Sequence, residues 1–381
     1  MNLSSEELVA LVRRVFAPRP EEERMAVMVD LPDAALGDNP RWRARRAMAA
    51  SWVRTLRDAR AELGLDAGLI AYRNVRSNNG PLPDHAWSVD PETVPETADE
   101  LPEAAAVPME RLLAMHPIVL APTELSATAP LKLLAPRLGL RAATMPGFSP
   151  AMIPALRLDY GEIARRVGIM KALLDGATSA ELETVSPFGE HALHIDLRER
   201  TAHASGGVFT EPGTAGNLPS GEAYIVPWEG GEPAGPSLTA GELPVEEDGD
   251  TALYRIEGNR IVEVVGDGPF AGSERALVAA EPAYANVAEL GLGVLSDFGL
   301  APIGEILLDE KLGLHVAFGR SDHFGGAVGP EAFSHPSRAI HLDRVYLPEL
   351  QPDVTVRRLT LSGREGTVEL MRDGRWVPGL W

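Results

Sequence analysis

The chain has 381 residues, no cysteine, and 55 acidic against 35 basic side chains, for a formal net charge of -20. Disulfides, thiolate nucleophiles and cysteine-bound zinc are excluded, and binding nucleic acid through its phosphates, which needs a basic surface, is disfavoured. The balance suits cation binding and small or neutral substrates, and the length suggests two domains.

In chain order, Ser4 or Ser5 caps an amphipathic helix in MNLSSEELVALVRRVF, with Glu6 and Glu7 in its first turn and Leu8, Leu11, Val12 and Phe16 on one face. This stretch lacks the basic head and apolar run of a signal peptide. No segment reaches the roughly 18 uninterrupted apolar residues of a membrane span, so a cytoplasmic protein without membrane contact is expected. MAVMVDLP reads as a buried strand, residues 40–63 as helix, and Leu69–Tyr72 as a further strand. Residues 76–108, crowded with Pro, Asp, Glu and Asn, read as a solvated loop with a short helix near 97–105. PIVLAP resumes the sheet, two helices flanked by prolines follow, and a long helix covers about 157–175.

Beyond about residue 180 the texture changes to strands and glycine-rich turns, among them HALHIDL, EAYIVPW, HVAFG, AIHLDRVYL and TVRRLTLSG, with one helix near 271–280. The expected fold class is α/β: residues 1–180 form an N-terminal α/β domain, and 181–381 a mainly β (α+β) catalytic domain.

That second half concentrates oxygen and imidazole donors: Glu222 in NLPSGE, Glu289 in NVAELGLG, Glu310 and His315 in LLDEKLGLHVAFG, and His341 and Asp343 in AIHLDRVY. This donor mix binds first-row divalent metals, and several carboxylates together can hold two ions. His341 and Asp343 stand two apart in a strand, so both project from one face. In LGLHVAFG, His315 and Ala317 point one way and Leu314, Val316 and Phe318 the other. The same His-x-Asp form occurs at His194 and Asp196, so spacing alone does not identify a site. Serine-hydrolase elbows, Walker loops and His-Glu-x-x-His helices are not found in the sequence.

These segments, in this order, resemble the signatures of the M29 (aminopeptidase T) metallopeptidases, and TMPGFS followed by LDY resembles that family's inter-domain region. The resemblance runs from about residue 140 to 350. It implies a two-metal centre (zinc, cobalt or manganese) with Glu222, Glu289, His315, His341 and Asp343 as ligands and Glu310 as an addition. It also implies a homodimer acting on short peptides or other small molecules, by a metal-activated water that releases N-terminal residues. Glu289 or Asp343 would bridge the ions, and Glu310 or Glu222 would carry the proton. The family's aminopeptidases have a Tyr about seven residues after the strand histidine. Here the chain reads Arg320-Ser321-Asp322-His323, without that Tyr, which leaves His323 as an extra ligand, an acid/base or a hydrogen-bond donor to the oxyanion. A related branch comprises mononuclear Fe(II) dioxygenases that cleave dihydroxypyridine rings with two His and one carboxylate. A third possibility is a metal-free binding protein on the same fold.

Overall fold

The computed structural model describes residues 3–381, so Met1 and Asn2 of the first predicted helix lie outside the described residues. That helix is Ser5–Phe16, with Ser4 and Glu7 closing a reciprocal capping box. The fold is α/β: among the described residues the strands form sheets of seven, five and eight strands. No described helix is long and apolar enough to cross a membrane.

The chain divides into two compact units. One comprises the described residues up to Ala164 with Gly207–Ser220, the other Arg165–Gly206 with Gly221–Trp381. The single cut expected at 180 therefore does not describe the division. The reason is the short strand Thr214–Asn217, which pairs in parallel with Arg141–Thr144 and extends the first unit's sheet.

In the first unit the sheet runs Thr214–Asn217, Arg141–Thr144, Ile118–Ala121, Arg24–Leu31, Asp66–Arg73, His85–Val89, Val107–Pro108. The first five strands are parallel, and the last two are antiparallel additions. Parallel strands covered on both faces need apolar side chains throughout, which is why MAVMV and IVLA are continuous apolar runs. Two expectations change here. The loop 76–108 contains the strand His85–Val89, where Trp87 is buried and donates to the Pro102 carbonyl at 2.9 Å. The second of the two proline-flanked helices is instead the strand Arg141–Thr144, following the single helix Thr128–Leu138.

In the second unit the five-stranded sheet runs His341–Val345, Leu314–Gly319, Val287–Gly293, Glu222–Ile225, His203–Ser205, all antiparallel. One of its faces is apolar, built from Leu314, Val316, Phe318, Leu290 and Leu292, all fully buried. Phe318 meets Tyr254 of the eight-stranded antiparallel sheet edge-on, with ring centroids 5.3 Å apart. The other face carries the polar residues.

The first unit also buries a carboxyl. Asp30 accepts from the Glu124 and Leu125 amides at 2.7 and 2.9 Å and from the Trp42 indole at 3.0 Å. Burial nonetheless pushes its carboxyl from 3.8 up to about 6. Between those values the folded chain binds a proton that the unfolded chain releases. The stabilisation from this group is therefore full below about pH 4 and lost as the pH rises through about 6, a swing of about 3 kcal/mol. Asp30→Asn should flatten that fall, read from urea midpoints measured between pH 4 and 7.

Candidate metal centre

The register of the five-stranded sheet places the donors. Glu222 lies opposite Gly293, Tyr224 opposite Gly291, Gly291 opposite His315, Glu289 opposite Ala317, Ala317 opposite Asp343, and Gly319 opposite His341. Directly opposed residues share a face, so all these positions project from one side. Each donor thus stands next to a glycine or alanine on the neighbouring strand. A Cβ on Gly291 would lie 1.9 Å from His315 Nε2, so the imidazole occupies the space that a side chain there would fill.

Two sets of donor atoms meet across Glu289. His315 Nε2 is 3.2 Å from Glu289 Oε1 and 3.6 Å from Glu222 Oε2. His341 Nε2 is 3.5 Å from Glu289 Oε2 and 3.5 Å from Asp343 Oδ1. Among the described residues, Glu222, Glu289 and His315 form a group whose ligand atoms all lie within 4.8 Å of one another. The far nitrogen of each ring faces a backbone carbonyl: His341 Nδ1 that of Arg320 at 2.8 Å, and His315 Nδ1 that of Gly313 at 3.4 Å. Those contacts turn both Nε2 atoms toward the carboxylates, the arrangement by which ligating histidines are oriented.

The electrostatics are those of a cluster short of positive charge. Burial opposes a charged imidazole, yet Glu289 and Glu222 push His315 up to about 9, and Asp343 and Glu289 push His341 up to about 10. Burial also opposes an ionised Asp343, but His341 holds its carboxyl well below the usual carboxylate range. Burial pushes the Glu222 and Glu310 carboxyls up, against the pull of Lys311. Glu222 Oε2 is buried without a hydrogen-bond partner. A buried carboxylate oxygen left unmatched, facing an imidazole and a second carboxylate, fits a divalent cation.

All seven residues singled out in the sequence lie in this unit. Glu222, Glu289, His315, His341 and Asp343 share the polar face, while Glu310 sits on the 3₁₀ turn Glu310–Leu312 and is paired with Lys311. His323 occupies the 3₁₀ turn Asp322–Phe324, its ring centroid 5.3 Å from that of His341 and edge-on to it. The competing pair lies elsewhere, in the eight-stranded sheet. There Asp196 is matched by Arg198 at 2.6 Å and the Leu238 amide at 3.0 Å, and His194 by Glu181.

Two neighbours escaped the sequence reading. Lys311 is wholly buried against Glu222 and Glu310; only its adjacency to Glu310 marked it. Tyr224 shares the polar face with Glu222, a relation its spacing of two could have revealed. Its ring stacks on His203 at 5.2 Å and meets Phe324 edge-on at 4.8 Å. Burial, with Glu289 and Glu222 nearby, pushes its phenol well above the ordinary value and keeps it a donor.

No protein-family model matches the chain, and no curated protein does. Among solved structures, 2,5-dihydroxypyridine dioxygenase from Pseudomonas putida KT2440 is similar at a TM-score of 0.62 and 17% identity, over 99% of this chain and 98% of that one. AmpT from Thermus thermophilus is similar at a TM-score of 0.58 and 15% identity, over 98% of both chains. The chain therefore has the fold these two proteins share, from end to end.

Gly291→Ala tests the packing of the donors. The added methyl should displace the His315 ring and weaken divalent-ion binding by about ten- to a hundredfold. Titration calorimetry would measure this, and circular dichroism would confirm an intact sheet.

Proposed function

We propose that this protein is a metal-dependent aminopeptidase that removes N-terminal residues from short peptides at a two-ion centre. The observation that carries the reading is the division of Glu289, with one oxygen toward His315 and the other toward His341. Glu289 would then be the carboxylate shared by the two ligand sets. Glu222 Oε2 and His315 would complete one ligand set, and His341 and Asp343 the other.

Two divalent cations at such a centre would supply Lewis acidity for activating water and polarising a carbonyl. The chain's own residues account for the remaining tasks. Asp343, held ionised, and its neighbouring carboxylates favour a substrate end that carries positive charge, as an N-terminal amine does. Glu310 is paired with Lys311, and burial raises its affinity for a proton. It can take the proton from the attacking water and return it to the leaving amine. Of the two carboxylates considered for this task, Glu222 is the less suited, because Oε1 is held by Lys311 and Oε2 faces His315. His323, whose ring meets that of His341 edge-on, would donate to the oxyanion.

One observation favours a second reading. His315, His341 and Asp343 alone make up the two-histidine, one-carboxylate set of mononuclear iron oxygenases, and one of the similar solved structures is a dioxygenase. Three further acidic groups, Glu222, Glu289 and Glu310, have no part in such a set, which favours the hydrolase.

The test is release of N-terminal residues from di- and tripeptides after loading with zinc, cobalt or manganese. Glu289→Gln should cut kcat/KM by about a hundredfold or more, about 3 kcal/mol of transition-state stabilisation, and reduce the bound ions. About one iron per chain, with oxygen uptake on a dihydroxylated heteroaromatic and no peptide cleavage, would decide for the oxygenase instead. Glu310→Gln should lower kcat while leaving KM nearly unchanged, as loss of a proton carrier requires.

A further inference from the structure

The polar face holds a positive charge that is covalently part of the chain. Lys311 is fully buried on the turn Glu310–Leu312. The turn lies across the strand Val287–Gly293, so close that a Cβ on Gly293 would come within 2.3 Å of the Lys311 carbonyl carbon. The Lys311 carbonyl accepts from the Leu295 amide at 2.8 Å, which pins the turn in place. From there the ammonium reaches Glu222 Oε1 at 2.5 Å and also Glu310 Oε1. An ammonium cannot ligate a cation; it can only take oxygens that a cation would otherwise use. Glu222 is left with Oε2, the buried atom that has no hydrogen-bond partner.

We propose that Lys311 is a tethered cation that limits how many metal ions the centre holds. It fills the position between Glu222 and Glu310, restricts Glu222 to one ligating oxygen, and keeps Glu310 out of the ligand set. The inference rests on the metal reading above and deepens it. With the ammonium gone, both oxygens of Glu222 and the adjacent Glu310 form an oxygen-rich position of the kind that takes a further hard divalent ion. With it present, Glu310 stays available for proton transfer. Lys311 is thus a positioning residue, acting on Glu222 and Glu310 and not on substrate.

The experiment counts ions on the full-length protein, stripped with chelator, reloaded with Mn(II), dialysed and analysed by elemental mass spectrometry. Lys311→Met should bind about one more Mn(II) per chain than the unaltered protein. Lys311→Arg, which keeps the charge, and the double variant Lys311→Met/Glu310→Gln should both return to the unaltered count. Glu310→Gln alone introduces no unpaired charge and so guards against a Lys311 variant that does not fold. Its count should equal that of the unaltered protein, because Glu310 is not a ligand while Lys311 holds it. Equal counts for folded Lys311→Met and the unaltered protein, or one ion fewer in Glu310→Gln, would overturn the role of Lys311 alone. Absence of bound ion from every variant would overturn the metal reading together with it.

Discussion

Four carboxylates, Glu222, Glu289, Glu310 and Asp343, are gathered in one unit with Lys311 and two imidazoles as their countercharge. Each carboxylate removed from water costs several kcal/mol unless opposite charge and hydrogen bonds offset it. The rest of the site follows from that requirement. It drives a lysine into full burial, pushes two imidazoles toward the charged form, and leaves one Glu222 oxygen without a partner.

Other buried acids in the same unit show what a closed account looks like. Asp196 is matched by Arg198 and by the Leu238 amide. Glu274 accepts from the Tyr254 and Tyr284 hydroxyls at 2.5 and 2.8 Å and pairs with Arg344 at 2.9 Å. Glu281 is met by the Ser334 amide at 2.8 Å and hydroxyl. These groups are complete as they stand. The polar face of the five-stranded sheet differs because its acids outnumber the fixed cations beside them, which sets it apart from these structural ion pairs.

Much of this could be read from residue order, and the exceptions have physical causes. Alternation in LHVAFG and IHLDRV shows directly which side chains share a face, because a strand has a period of two. Grouping those strands with NVAELGLG and EAYI needed the ordered motifs, since no local signal shows which strands are neighbours. In Arg141–Thr144 only the Thr favours β structure, and two alanines read as helix; its strand state comes from parallel neighbours on both sides. His85–Val89 gives little strand signal because Pro and Asp crowd its flanks and only Ala86 and Trp87 are buried. Nothing local marks Lys311, because a lone lysine is almost always solvated, and only the fold brings Glu222 to it from 89 residues away.

The return of Thr214–Asn217 to the first unit's sheet bears on how the chain matures. A polypeptide emerging from the ribosome cannot complete its N-terminal layer when the helix at Tyr160–Asp175 has been made; the edge of that layer is synthesised some forty residues later. In between come the first two hairpin strands of the eight-stranded sheet, Ala177–Ser186 and Gly189–Asp196. Those strands must wait for partners encoded as far along as Thr355–Gly363. Neither half can be severed as one contiguous fragment, so assembly of the two is staggered in time and interleaved along the message.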